Sequence, residues 1–223
     1  MLALLDGDIF VYRVGFTTQE EPEGIALARL DESIGATLKF LNTTDYRCFL
    51  TPTDKSNFRY EIYSQYKANR TAPKPHHYDL LRDHLLNWHG AIQAWGEEAD
   101  DLCGIQQSSE TCIVSIDKDL RQVPGLHFNF VKGIIDEVSE LDGSKSFYRS
   151  LLTGDRVDNI SGISGVGPIK AAKLINHLNT PKEMYNVVVS KYKRNDKSPE
   201  SLVQAGQLLW IRREEGQLWH PPV

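Results

Sequence analysis

The sequence predicts an α/β fold in which helices flank a central, mostly parallel sheet. Two short apolar runs carry this prediction, since residues 2–5 end at Asp6 and residues 111–116 end at Asp117. Runs of this kind are typical of parallel strands that are buried on both faces. Between them, residues 25–41 repeat apolar side chains on one helical side, which indicates a covering helix.

Length and composition are those of a soluble globular protein. The chain has 223 residues, 40% of them hydrophobic and 25% charged, which is enough for one large or two small domains. No apolar run approaches the length of a membrane span, and residues 2–5 are too few for a signal-peptide core. The three cysteines are an odd number, so we expect reduced thiols in a cytoplasm. We also expect no membrane contact and a monomer.

The first half of the chain offers several further elements. Asp6 would stand at the carboxyl end of the first strand, where open α/β sheets bind ligands, although a plain turn residue is the alternative. Residues 47–50 favour a second strand. Lys67 and Arg70 are three residues apart, so a helix would join them in one cationic spot suited to phosphate, or in a solvated charged face.

Residues 71–95 begin with two prolines and continue with a helical pattern. This segment also holds four histidines, and no cysteine or acid accompanies them at metal-binding spacing. We therefore interpret them as surface residues; they are His76, His77, His84 and His89.

Acidic residues are densest at 97–101, where four of five residues are acids. Helix capping explains some of them, but four exceed what capping needs and repel one another without cations. On a regular helix Glu98 and Asp101 share a face, while Asp100 points elsewhere. Asp117 and Asp119 directly follow a buried strand, a placement that suits metal ligation better than capping.

The second half of the chain predicts a further strand, a polar connection, two helices and a glycine-rich stretch. Residues 127–131 favour a strand, residues 136–144 a polar connection, and residues 184–192 and 202–211 helices. In the stretch 151–178, a helical turn over 155–159 would face both of its acids one way. Several glycines and then the start of a helix follow. The amides of this stretch and the lysines of the helix could hold a phosphate; the alternative is a tight turn between two helices with a solvated lysine face. The residues concerned are Asp155, Asp158, Gly162, Gly165, Gly167, Pro168, Lys170 and Lys173.

Together these motifs resemble those of the 5′-nuclease family of flap endonucleases and 5′–3′ exonucleases, most closely the bacterial and phage exonucleases. The matching strings are Tyr-Lys-Ala-Asn-Arg at 66–70, Glu-Ala-Asp-Asp at 98–101, Asp-x-Asp-Leu at 117–120 and Gly-Asp-x-x-Asp-Asn-x-x-Gly before Gly-x-Gly at 154–167. The resemblance implies a PIN-like core over residues 1–150 with a helical arch at about 67–95. It also implies a helix–three-turn–helix DNA-binding region with C-terminal helices over residues 151–223.

The resemblance further implies a two-metal nuclease that acts as a 5′–3′ exonuclease or 5′ flap endonuclease on duplex DNA, in a bacterial host if the chain is phage-encoded. Two Mg²⁺ or Mn²⁺ ions would activate water and stabilise the leaving oxygen. Their ligands would be Asp6, Glu98, Asp100, Asp101, Asp117, Asp119, Asp155 and Asp158. Lys67 and Arg70 would contact the scissile phosphate. DNA would be bound by Tyr66, Gly162, Gly165, Gly167, Lys170 and Lys173, with a K⁺ ion at the glycine-rich stretch.

Two features bear on the predicted DNA nuclease: the net charge of the chain and one departure from the family's motifs. Net charge is −5, but without the eight proposed ligands 22 acids face 25 lysines and arginines, so DNA is not excluded. The family has Phe-Asp at the end of the second strand, whereas Phe49 is followed here by Leu50. Asp8 and Asp54 are the candidates to replace the missing acid. A non-catalytic DNA-binding relative and a PIN-type ribonuclease remain as alternatives.

Overall fold

A six-stranded sheet forms the centre of the structure, a computed structural model that describes residues 1–222. Its strands lie in the order β3-β2-β1-β4-β5-β6, and every pairing is parallel except β5–β6. The mostly parallel sheet predicted from the apolar runs is therefore confirmed. The strands are β1 Leu2–Asp6, β2 Tyr46–Leu50, β3 Ile92–Gln93, β4 Thr111–Val114, β5 Gly125–Asn129 and β6 Ile134–Val138.

Helices cover both faces of this sheet, which is why its central strands are apolar throughout. Along β1, Ala3 and Leu5 pack with α1, α2 and α4 on one face, while Leu4 packs against α5 on the other. Because the parallel strands end at one edge, the acids that follow them are brought together. The helices in this part of the chain are α1 Gly7–Thr17, α2 Glu23–Phe40, α3 Phe58–Ile62, α4 Tyr78–Trp88 and α5 Ala99–Gln106, of which α3 packs against the C-terminal part of the chain.

A second apolar cluster holds the C-terminal helices together. Phe147 and Leu151 of α6 pack with Ile175 of α7, and Trp219 of the tail closes the cluster. The helices are α6 Glu140–Thr153, α7 Pro168–Ile175, α8 Pro181–Lys193 and α9 Pro199–Leu209. The boundary predicted at residue 150 falls inside α6, and the two-region division itself stays a prediction.

Two elements differ from the sequence-based expectation. The segment expected as an arch contains α4, whose Leu81 and Leu85 are fully buried against the helices α1 and α2. Its hydrophobic side thus makes α4 part of the core layer and not a bridge over the site. Residues 136–144, expected as a connection, contain the end of β6 and the first turn of α6. Within residues 1–222, no helix has the length and apolar character needed to cross a membrane.

Candidate active site

Carboxylates from four parts of the chain line one cleft at the carboxyl edge of the sheet. The cleft consists of two cavities of about 200 and 480 Å³ that share Glu98, Asp100 and Asp117 as lining residues. Lys67 and Arg70 line both cavities as well. Seven of the eight predicted metal ligands are brought together here, namely Asp6, Glu98, Asp100, Asp117, Asp119, Asp155 and Asp158.

Asp6 is held at the point where β1 ends and α1 begins. Its Oδ1 accepts a hydrogen bond from the Ile9 amide at 3.4 Å, and its Oδ2 accepts one from the Ser115 hydroxyl at 2.8 Å. Burial and then the neighbouring Asp8 carboxylate raise the pKa of Asp6 to about 7, with Asp117 adding to the shift. A nearby cation would lower this pKa again, because it favours the charged form of the acid.

Glu98 lies just before the first turn of α5, on extended backbone at φ −104° and ψ 166°. Because it precedes the helix, the three-residue spacing that would align it with Asp101 does not apply. Its Oε1 accepts hydrogen bonds from Asn57 at 3.0 Å and from the Lys67 ammonium at 2.7 Å. Glu98 and Asp100 therefore face the cleft, and the face-sharing predicted from helical spacing is wrong.

Asp101 is the predicted ligand that the structure does not place in the cleft. Its side chain is fully buried, and both oxygens bind the Arg59 guanidinium at 2.6 and 2.9 Å. The amides of Glu98 and Arg212 donate to the same carboxylate at 3.0 and 3.1 Å. Burial alone would raise the pKa of Asp101, but the Arg59 charge and these hydrogen bonds hold it below the usual value.

Asp117 and Asp119 follow β4, where a short 3₁₀ turn over Asp119–Gln122 starts. Asp117 accepts the amide of Asp119 at 2.8 Å and donates its own amide to the Ser115 hydroxyl at 3.0 Å. Burial and then the Asp117 charge raise the pKa of Asp119 to about 7. Burial followed by the charges of Asp6 and Asp117 also raises the pKa of Asp100.

Asp155 and Asp158 come from a small hairpin and not from the helical turn that the spacing suggested. The hairpin pairs β7 Gly154–Asp155 with β8 Ile160–Ser161, and residues 156–159 form its turn. Asp155 Oδ1 accepts the amides of Val157 and Asp158 at 2.7 and 3.1 Å, which closes the turn. Both carboxylates face the smaller cavity.

The basic motif at 66–70 is also a turn where a helix was expected, and Lys67 adopts a left-handed φ of 55°. The Lys67 amide donates to the Asp158 carbonyl at 3.0 Å, and Arg70 forms an ion pair with the Asp158 carboxylate. Tyr66, predicted to bind DNA, is buried and places its hydroxyl between Glu98 and Asp158 at 3.2 and 3.0 Å. Tyr66 thus links two carboxylates by hydrogen bonds, and its buried ring is not accessible for stacking.

The two acids considered as replacements for the missing strand-end aspartate lie in different surroundings. Asp8 stands beside the end of β2, where its Oδ2 accepts the Thr51 amide at 3.0 Å and its Oδ1 binds Arg82 at 2.9 Å. Asp54 lies on an exposed loop and accepts a hydrogen bond from Ser56 at 2.5 Å. Asp8 is thus the acid nearer to Asp6, and Arg82 neutralises part of its charge.

The glycine-rich stretch, residues 162–167, forms a tight turn between the β7–β8 hairpin and α7. A side chain at Gly162 would meet the Thr153 carbonyl carbon at 2.1 Å, so only glycine fits there. Gly165 adopts a φ of +70°, and Gly167 directly precedes α7. The Lys170 ammonium donates to the Gly165 carbonyl at 2.8 Å, while Lys173 is exposed one turn further along.

Sequence reasoning missed three residues that support the cleft. Arg82 occupies the buried side of α4 with Tyr78, Leu81 and Leu85, and that i, i+4 position was the available clue. Ser115 follows a strand and precedes Asp117 by two residues, which is a weak clue. Arg59 pairs with Asp101, 42 residues away, and no spacing pattern in the sequence indicates such a pair.

A carboxylate-lined cleft at the carboxyl edge of a mostly parallel sheet defines a protein of the PIN-like α/β class. Bacteriophage T5 5′-exonuclease, solved with divalent zinc ions bound, has this fold: its TM-score is 0.70 at 16% identity, covering 92% of this chain and 88% of that one. The model for the N-terminal resolvase-like domain of 5′–3′ exonucleases matches residues 1–152. The chain therefore belongs to the 5′–3′ exonuclease family, and the predicted family and PIN-like fold are confirmed.

Curated relatives include both polymerase-linked and free-standing proteins. DNA polymerase I of Rhizobium leguminosarum is 30% identical over 207 residues, covering 78% of this chain but only 20% of the polymerase. The 5′–3′ exonuclease of Buchnera aphidicola is 29% identical over 210 residues, covering 83% of this chain and 73% of that protein. The flap endonuclease Xni of Shewanella baltica is 28% identical over 192 residues, covering 77% and 72%.

Proposed function

We propose that this chain hydrolyses phosphodiester bonds of DNA at 5′ ends or 5′ flaps, using divalent metal ions. The observation that carries the proposal is the cleft in which seven of the predicted carboxylate ligands meet Lys67 and Arg70. Family membership supports it, and one bacteriophage T5 flap endonuclease structure is described as a pseudo-enzyme–product complex with DNA and metal ions.

The donor set fits hard divalent cations. The seven predicted ligands in the cleft, and Asp8 and Asp54 that also line its larger cavity, offer oxygen, which Mg²⁺ and Mn²⁺ prefer; no sulfur or imidazole lines either cavity in the described residues. Three of these acids, Asp6, Asp100 and Asp119, have raised pKa values because they are buried among like charges. We propose that two ions are held there: when bound, they supply a more acidic water and offset negative charge on the phosphate.

The residues of the chain itself supply positioning and fixed positive charge. The Lys67 ammonium lies 2.7 Å from Glu98 and lines both cavities, so it offers a positive charge to a phosphate that binds beside the acids. Arg70 offers a guanidinium that can bind phosphate oxygens in a bidentate way. Both cations interact more strongly with the phosphate as negative charge develops on it in the transition state. They therefore raise the rate of cleavage more than they raise the affinity for DNA.

The glycine-rich stretch and α7 would hold the uncut part of the duplex. Lys170 and Lys173 are exposed on α7, and Gly167 directly precedes this helix, whose first amides can bind a phosphate. The K⁺ ion that the family resemblance suggests would bind backbone carbonyls of this stretch, where the Gly165 carbonyl already accepts a hydrogen bond from the Lys170 ammonium. We further propose a monomer in a bacterial cytoplasm, where the three buried free thiols stay reduced.

The proposal is tested with 5′-labelled, 3′-labelled and flapped DNA duplexes, and with RNA of the same sequences. Mg²⁺-dependent cleavage that starts at 5′ ends or flaps is expected, and it should stop in excess EDTA. Asp117→Asn should nearly abolish cleavage while DNA binding stays the same or tightens, because one negative charge near the phosphate is lost.

Asp45→Asn is the matched control, since this exposed acid precedes β2 at the opposite edge of the sheet and the charge change is identical. Cleavage of RNA alone would favour the PIN-type ribonuclease. DNA binding without any cleavage would favour the non-catalytic relative, and normal turnover by Asp117→Asn would contradict the assigned site.

A further inference from the structure

Two histidines and an aspartate converge on the face formed by α2 and α4, away from the carboxylate cleft. Asp31 Oδ1 lies 2.7 Å from His84 Nε2 and 2.8 Å from His89 Nε2. One ligand atom from each residue lies within 4.8 Å of the others. None of the three residues lines the two cavities of the cleft. This group is called the His–Asp cluster below.

His84 lies on α4, and His89 directly follows this helix. Residues five apart on a regular helix differ by about 140° in direction, so helical spacing alone does not place the two histidines on one face. The helix stops at Trp88, and His89 is its capping residue, with Nε2 2.8 Å from Asp31 of α2. The acid that the sequence did not offer at metal-binding spacing is thus supplied by a distant helix.

Three features of the surroundings fit a bound cation. His89 places its other ring nitrogen, Nδ1, 2.9 Å from the Tyr46 hydroxyl, the kind of partner that fixes the tautomer of a metal-ligating histidine. The carbonyl end of α4 adds negative potential at the same point. The imidazoles are 13% and 15% exposed and the Asp31 side chain is 51% exposed, so an ion can enter from solvent.

We propose that Asp31, His84 and His89 form a second metal site that takes a borderline divalent cation such as Zn²⁺. Two imidazole nitrogens and one carboxylate oxygen are ligands that Zn²⁺ accepts in tetrahedral geometry with one position left for water. Bond lengths of about 2.0–2.1 Å would place ligand atoms about 3.3 Å apart, so Asp31 must move away from each histidine by only about half an ångström. The bound ion joins α4 to α2 and, through Tyr46, to β2.

Excess Mg²⁺ separates this site from the cleft, since Mg²⁺ fills all-oxygen sites and competes poorly for imidazole. Zn²⁺ is titrated against a chromophoric chelator in that buffer. Wild type should bind Zn²⁺ at least about a hundredfold more tightly than His84→Ala/His89→Ala, exceeding what loss of an outer partner alone costs. Tyr46→Phe should lose about 10–100-fold, as expected for removal of that outer partner.

His76→Ala/His77→Ala is the matched control, because these stacked histidines bind backbone carbonyls of Gln19 and Glu21. Its Zn²⁺ affinity should equal that of wild type. Equal affinity in wild type and in the His84/His89 variant would overturn the proposal.

If the alanine variant fails to fold, His84→Gln/His89→Gln replaces it. The imidazole ¹⁵N resonances of wild type provide a test without mutation. Shifts of the His84 and His89 resonances on addition of Zn²⁺ support the site, and unchanged resonances refute it.

Discussion

Asp100 and Asp101 are neighbours in α5, yet conversion of each to asparagine should have opposite effects. Asp101→Asn leaves Arg59 in a buried position without its closest counter-charge, with only Glu98 remaining at 3.8 Å, and both Arg59 and Asp101 are almost completely excluded from solvent. The substitution also weakens the acceptors of the Glu98 and Arg212 amides. Asp100→Asn removes a carboxylate whose pKa is raised by burial and by the nearby Asp6 and Asp117.

The magnitude follows from the burial of the pair. Removing one partner of a buried ion pair costs about 3–5 kcal/mol, a large part of the roughly 5–15 kcal/mol that stabilises a typical protein. For a chain of this size, about 1 kcal/mol shifts Tm by roughly 2–4 °C, so Asp101→Asn should melt about 6–20 °C lower. Asp100→Asn should be as stable as wild type or more stable, because it relieves repulsion.

Urea unfolding in EDTA, followed by tryptophan fluorescence, measures the stability of both variants without metal. Cleavage in Mg²⁺ is then measured well below each melting temperature. Asp100→Asn should lose cleavage while it stays folded, and Asp101→Asn should retain part of its cleavage wherever it stays folded. An Asp101→Asn protein with wild-type stability and no cleavage would show that Asp101 is a metal ligand after all.

Three further outcomes are expected. Lys67→Ala should lower kcat on the order of a hundredfold with little change in KM, as for loss of one preorganised donor; a change in KM alone would limit Lys67 to docking. Replacing Lys170 and Lys173 with alanine should flatten the slope of log affinity against log salt by up to about two, measured in Ca²⁺, and an unchanged slope would make them bystanders. In EDTA, stability should rise as pH falls from 7 towards 4, because Asp6 and Asp119, with folded pKa values of about 7, bind protons before the unfolded carboxyls with pKa near 3.9 do. Urea unfolding at several pH values tests this, and stability that falls over that range would contradict it.

The sheet was predictable because its strands are short apolar runs buried on both faces. Leu2–Asp6 and Thr111–Val114 were located this way, and their terminal acids identified the edge where the cleft lies. Local spacing failed where backbone leaves regular geometry. Lys67 has a left-handed φ, Glu98 precedes its helix, and Asp155 closes a hairpin turn, so counting residues along a helix gave the wrong faces.

Long-range pairing was the other source of error. Asp101 looked like a cleft acid because its neighbours are, and only the position of Arg59 decides that it supports the fold instead. The same reason hid the link between Asp31 and His89, which depends on how α2 lies against the end of α4. A sequence pattern records which side chains are available, whereas tertiary packing decides which of them meet.

The Arg59 side chain has a consequence for the order of events during synthesis. Besides Asp101, it donates to the carbonyls of Leu208 and Trp210, and Arg59 and Trp210 are 151 residues apart. At about 5–20 residues per second, a ribosome needs roughly 8–30 s to make that interval. The nascent chain already contains every cleft acid while Arg59 still lacks these acceptors. The hydrogen bonds that Arg59 donates to these two carbonyls can therefore form only after all the carboxylates of the cleft have been synthesised.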